Sequence, residues 1–310
     1  MSITGSIWKD LQLEFKSGNV LTQLIIVNVG VFVLINLVRV ILFLFLQDNG
    51  DDIFDNFLSW IMLPADPLKL LMRPWTIITH MFTHYSFLHI LFNMLWLYWF
   101  GRILRQYLGD TKILPIYLLG GLAGAVLLVV SFNIFPGLTA AAPYVQALGA
   151  SGGVLAIMVA TATLVPDHTI FLLFFGAVRI KYIVMVFVAL DLIGIAGANT
   201  GGSIAHLGGA ALGFVFIKQL QSGNDWSKPM NRFFDFMKDV FSFKSKPKAV
   251  YKNEDRARFG GTTGQKSKTA KNTERQGKID KILDKITVSG YDSLTKEEKE
   301  FLFRVSNDDK

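Results

Sequence analysis

Residues 146–155 read QALGASGGVL, small residues around a single serine, set between two long apolar stretches. In a soluble α/β protein, Gly149-Ala-Ser-Gly-Gly153 would fit the turn that presents a nucleophilic serine, but that turn needs a strand before it and a helix after it in a sheet. Here the flanking segments are apolar enough for a bilayer. The whole chain agrees, with 51% hydrophobic residues and a mean hydropathy of +0.40, too apolar for an ordinary soluble domain. The fold class that follows is all-α, a polytopic membrane helix bundle. Cys is absent, which excludes disulfides, thiolate metal sites and a thiol nucleophile.

Working outward, six segments approach the roughly 20 residues that a spanning helix needs: about 19–46, 87–100, 113–135, 150–165, 180–196 and 202–217. Charge orients them, because cytoplasmic loops collect Lys and Arg. Lys9 and Lys16 precede the first span, Arg102, Arg105 and Lys112 follow the second, and Arg179 and Lys181 precede the fifth. Loops 136–149 and 197–201 carry neither Lys nor Arg, and loop 47–77 sets Lys69 and Arg73 against Asp48, Asp51, Asp52, Asp55 and Asp66. Six transmembrane helices with N- and C-termini in the cytoplasm fit this pattern. The N-terminus has no apolar core ending in a cleavage site, so no removable signal peptide is expected.

Residues 1–217 hold ten basic and ten acidic side chains, so the net charge of +7 belongs entirely to the tail. The expected organisation is a cytoplasmic segment (1–18), the membrane core (19–221), an amphipathic interfacial helix (222–244), a basic disordered linker (245–277) and a small helical module (278–310). In the amphipathic segment Phe233, Phe234, Met237, Val240 and Phe241 recur at helical spacing among Lys228, Arg232, Lys238 and Lys244. Such a helix lies either on an anionic membrane surface or on the protein's own cytoplasmic face. The terminal module reads as two short helices able to dock a cytoplasmic partner. TIFLLFFGA (169–177) is too short to span and is expected to be interfacial or re-entrant.

Polar side chains inside hydrocarbon cost a few kcal/mol unless they face a cavity or find a partner. His89 and Asn93 stand four apart on the second span, hence on one face. Ser151 opens the fourth and His206 lies a turn into the sixth. These spans run in the same direction, so the four residues meet at one level near the outer surface. The fourth span, about 15 residues, reaches only about 22 Å, short of the roughly 30 Å hydrocarbon core. The loop before Ser151 must therefore dip into the membrane, where irregular backbone needs protein or a water-filled cavity around it.

A serine hydroxyl becomes a nucleophile when a base takes its proton, and the His206 imidazole can do this near neutral pH. The oxyanion that develops needs donors: the Asn93 amide, a His89 ring N–H, and the backbone N–H groups that open the fourth helix. The small residues have a packing role too. Gly149 and Gly152 leave room around Ser151, and Gly209 and Gly213 form a GxxxG pair that brings span six against span four. His84 is expected to be a structural hydrogen-bonder, His80 and His168 to be loop residues without a role, and Asp191 to hydrogen-bond locally at the interface.

Together His89-x-x-x-Asn93, Gly149-x-Ser151-Gly152 and Ala205-His206-x-x-Gly209-x-x-x-Gly213, in that order and on those spans, resemble the rhomboid intramembrane serine proteases, over residues 20 to 220. The tail KIDKILDKI…SLTKEEKEFL resembles a module of bacterial, Bacteroidetes-type members. The resemblance implies a serine-type endopeptidase that cleaves in or beside transmembrane segments, with Ser151 as nucleophile, His206 as general base, and His89 and Asn93 at the oxyanion. Its partners would be transmembrane protein substrates and the lipid bilayer, with no nucleic acid, no cofactor and no metal, and its place the cell membrane, in bacteria the inner one. The chain departs from the family in three places. Arg73 and Trp75 stand where a Trp-Arg pair is common in the first loop, Leu155 replaces a Tyr that stacks on the catalytic His, and Arg105 replaces a Glu. The rival readings are a catalytically inactive rhomboid-like binding protein, which predicts loss of Ser or His, and a transporter using the buried His and Asn, which predicts internal repeats; neither signature is found.

Overall fold

The computed structural model describes residues 19–46, 50–172, 176–241, 278–287, 290 and 293–308. The cytoplasmic segment 1–18 and the linker 245–277 expected from sequence lie outside the described residues, as do residues 242–244 of the amphipathic segment. Two compact units separate at residues 243 and 244.

All six apolar segments are helical: α1 (Val20–Leu46), α4 (Phe87–Leu108), α5 (Ile113–Ile134), α6 (Ser151–Leu164), α7 (Ile180–Gly194) and α8 (Thr200–Gln221), with α2 (Gly50–Ser59) and α3 (Pro67–Met72) in the first loop. The stretches Val20–Leu46, Phe87–Leu108, Asp110–Ile134 and Thr200–Gln221 are long and apolar enough to cross a membrane. With 14 and 15 residues, α6 and α7 are shorter. α4 runs past its apolar stretch to Leu108 because Arg102 to Tyr107 keep good helix formers, and Gly109, at φ +76°, ends it.

α6 is the hub. Gly152 to Ala162 are buried without interruption, enclosed by α4, α5 and α8. A Cβ on Gly209 would overlap the carbonyl oxygen of Gly152, and one on Gly213 that of Ala156, so the two helix backbones touch. Across α1 and α5 runs a buried polar strut. Asn28 donates to Leu24 O (2.9 Å) and to Tyr117 Oη (3.3 Å), and Tyr117 in turn donates to Met81 O (2.7 Å), just ahead of α4. Each of these contacts satisfies a group that hydrocarbon would leave unpaired.

The first loop is ordered by short-range chemistry. Asp66 caps α3, accepting from Leu68 N (2.9 Å) with Pro67 at the first helical position. Leu63–Pro64 (β1) pairs antiparallel with Gln146–Ala147 (β2), so this loop holds the strand leading into Ser151. Arg73 lies over the Trp60 ring (4.1 Å), which stacks on Trp75 at 6.1 Å. Arg73 thus packs on Trp60, and Trp75 extends the stack. Arg39, the charge in the first span, sits over Phe54 of α2 at 5.6 Å.

Three expectations change. Within and after TIFLLFFGA, Thr169–Leu172 (β3) and Gly176–Arg179 (β4) pair antiparallel, as β-branched and aromatic residues favour, with Gly176 at φ +70°. The all-α bundle therefore carries two small strand pairs. His80 is buried and structural, its carbonyl accepting from Gly149 N (2.8 Å). The third change concerns Asp191 and belongs to the site below.

α9 (Ser227–Phe241) starts on the protein's own face: Asp225 pairs with Lys112, which also donates to Ser227 Oγ (2.7 Å), and Asn231 donates to Thr111 O (3.0 Å). Farther along, Phe233, Phe236 and Val240 are exposed. In the second unit, α10 (278–287) and α11 (Lys296–Asp308) bury Ile282 and Leu294. Thr295 and Glu298 form a reciprocal cap (2.8 and 3.3 Å), and Lys285 bonds Glu298 at 2.9 Å.

Candidate active site

Ser151 is the first residue of α6, and the chain reaches it through Gly149, whose φ of +124° falls in the left-handed region that side chains disfavour. Glycine is also required for space, because a Cβ there would stand 2.9 Å from His89 Nε2. Two neighbours fix this turn: His80 O holds Gly149 N–H, and Ala150 N–H donates to His84 Nε2 (3.2 Å). His84 is fully buried and meets the His89 ring edge-on, with centroids 5.0 Å apart. His84 is thus a structural hydrogen-bonder that shapes the approach to Ser151.

The N–H groups of Ser151, Gly152 and Gly153 make no backbone hydrogen bond among the described residues. They are the orphan donors that open any helix, and of the three residues Ser151 borders a cavity of about 1190 Å³. Ser151, His89, Asn93, His206, Leu155 and Asp191 all line it. Four helices thus deliver their polar groups to one space, as the levels of the spans predict. Asn93 is almost buried and its amide donates to His89 O (2.9 Å). Because that amide carries two N–H bonds, one remains for a ligand.

His206 Nδ1–H donates to Asp191 Oδ1 at 2.8 Å. The acid expected to find a local interfacial partner instead reaches from α7 to the histidine on α8. Sequence offered one signal for this, an acidic residue in an otherwise apolar helix, whose partner had to be polar and near the same level. The Ser151 hydroxyl makes no hydrogen bond among the described residues, and none joins it to His206. Catalytic hydrogen bonds are often long until substrate arrives.

With a serine at a helix N-terminus, an oriented imidazole and an amide donor bordering one largely apolar cavity, the arrangement holds the groups that acyl transfer needs. Among the described residues no group of three His, Cys, Asp or Glu side chains is placed to hold a metal ion.

Comparisons with known proteins agree with the architecture. A family model described as Rhomboid domain matches residues 72–221, and a family of unknown function, DUF6576, matches residues 266–308. RHOMBOID-like protein 12, mitochondrial, from Arabidopsis thaliana is 31% identical over 229 residues, which is 70% of this chain and 62% of that protein. Rhomboid protease GlpG of Pectobacterium atrosepticum is 29% identical over 110 residues (36% of this chain, 34% of that one). GlpG of Salmonella newport is 38% identical over 63 residues (20% and 22%). The alignments thus span from 22% to 62% of the relatives' own length. With the domain match, the helical bundle and these relatives in agreement, the chain is a multi-pass membrane protein whose residues 72–221 form a domain of the rhomboid family.

Proposed function

We propose that the protein is an intramembrane serine endopeptidase that hydrolyses peptide bonds in or next to transmembrane segments of membrane proteins. The observation that carries this reading is the shared cavity of about 1190 Å³, into which Ser151, His206, His89 and Asn93 converge. In the reaction, Ser151 Oγ attacks the scissile carbonyl while His206 Nε2 takes its proton. The tetrahedral oxyanion is held by the N–H groups that open α6, the free Asn93 N–H and the His89 ring. His206 then gives the proton to the leaving amine, and water repeats the sequence to release the acyl group. Gly149 and Gly152 shape the turn around Ser151, while Gly209 and Gly213 let α8 bring His206 close to α6.

The same reading has six spans with both termini in the cytoplasm, a core over 19–221 followed by an interfacial helix and a small terminal module, and a bacterial inner-membrane location. Its substrates are transmembrane proteins, and the module at 278–310 docks a cytoplasmic partner. The relatives named as proteases support the reaction class. The test is cleavage of a single-span reporter protein in liposomes. Ser151→Ala and His206→Ala each abolish cleavage without loss of fold, whereas undiminished cleavage by the Ser151 variant rules out the nucleophile.

A further inference from the structure

We propose that Asp191 is a positioning residue for His206, so that the site works as a Ser151–His206–Asp191 triad; this rests on the reading of Ser151 as nucleophile and His206 as base. Asp191 is the one acidic residue in any of α1, α4, α5, α6, α7 and α8. A carboxylate at such depth costs free energy unless it is partnered, and its partner is His206 Nδ1, at 2.8 Å. The side chains of the pair, 23% and 15% exposed, border the cavity that also contains Ser151. One turn before Asp191 on the same helix face, Phe187 lines the cavity and meets Trp96 edge-on at 5.0 Å. That contact keeps this face of α7 turned inward, while Leu190, Leu192 and Ile193 are exposed on the other.

The consequence follows from imidazole chemistry. A neutral ring carries its proton on either nitrogen, and only a lone pair on the nitrogen that faces the serine can act as base. An ionised Asp191 accepts only, so it fixes the proton on Nδ1 and leaves the Nε2 lone pair for Ser151 Oγ–H. During attack the Oγ–H bond breaks, the Oγ–C bond forms and the proton settles on Nε2. Nδ1–H stays in place, and Asp191 remains ionised beside the imidazolium. Leu155, which lines the same cavity, has no ring to hold His206. The carboxylate supplies that restraint from α7.

The experiment uses the full-length protein in liposomes with a single-span reporter, comparing Asp191→Asn, Asp191→Ala and Asp191→Glu with the wild type and with Ser151→Ala. The expected result is a fall in kcat of about tenfold or more in Asp191→Asn, with KM and thermal melting unchanged. Formate, a small carboxylate, restores part of the lost kcat to Asp191→Ala and none to Asp191→Asn, whose side chain still fills the space. Asp191→Glu retains more activity than either. Should the Ala variant fail to fold, the ¹⁵N-labelled His206 Nδ1–H resonance serves instead: it lies far downfield in the wild type and moves upfield in Asp191→Asn. A kcat for Asp191→Asn within about twofold of wild type, or a loss that follows melting with no formate response, overturns the proposal. Cleavage by Ser151→Ala would instead overturn the nucleophile reading; an inactive Ser151→Ala beside a fully active Asp191→Asn removes Asp191 alone.

Discussion

A methyl group on Gly149 would meet His89 Cε1 at 2.8 Å while holding the backbone at φ +124°. Either the left-handed turn relaxes or the His89 ring moves, and both displace the segment that delivers Ser151. Gly149→Ala is therefore expected to cost about 1–3 kcal/mol of stability and about tenfold or more in kcat/KM, read by thermal melting and reporter cleavage. Wild-type values would show that the turn is not needed. Asn93→Ala should be milder than either Ser151→Ala or His206→Ala, with kcat down about 10²-fold, since backbone donors remain. Unaltered turnover would remove Asn93 from the oxyanion. At this scale the sequence was informative where chemistry is local, as with His89 and Asn93 one turn apart. It brought residues of three spans to one level but did not pair off the side chains that meet only when helices pack. His80 looks like a loop residue until its carbonyl is seen holding Gly149, and Asp191 and His206 are joined only when α7 folds against α8.

α6 is too short to span and can stand at the centre of the bundle because its neighbours approach it through small residues. Where Gly209 faces Gly152 there is backbone on both sides, so neither wall can yield to a larger side chain. Gly209→Leu is expected to destabilise the protein by about 3 kcal/mol or more, measured by unfolding in detergent, and to reduce cleavage through the displaced His206 one turn away. Retention of both would mean that the helices separate without penalty. The start of α9 gives a pH prediction. Burial pushes the Asp225 carboxyl up, but hydrogen bonds from Lys112 and Ser227 outweigh it, and the group ends below its ordinary value of 3.8. A carboxylate with a lowered value stabilises above its unfolded pKa and loses that contribution as pH falls through the folded one. Protection of the α9 amides from hydrogen exchange, relative to the unfolded chain at the same pH, should stay high above about pH 4 and fall below it, and Asp225→Asn should remove the dependence. Among the elements, the spacing of glycines revealed the crossing of α6 and α8. The hairpin at 169–179 stayed hidden because a short apolar run has the same composition in a strand, a re-entrant loop and a helix.

For the molecule as a whole, charge asymmetry predicts orientation, and the absence of cysteine makes this directly measurable. A single cysteine at Tyr144, exposed in the loop before β2, should react with an impermeant maleimide from outside intact cells. One at Phe236 should react only after permeabilisation; the reverse pattern would invert the topology. The unit ending at residue 243 contains Ser151, His206, Asp191, His89 and Asn93, so a chain truncated there is expected to cleave the reporter at the wild-type rate, the terminal module serving location or partner choice. Loss of cleavage would make the module part of the enzyme. The most direct measurement of the central claim is covalent labelling by a fluorophosphonate in liposomes, with the adduct located by mass spectrometry. The account predicts one adduct, on Ser151, absent from Ser151→Ala and His206→Ala. An unlabelled wild-type protein, or an adduct that persists when Ser151 is replaced, would contradict it.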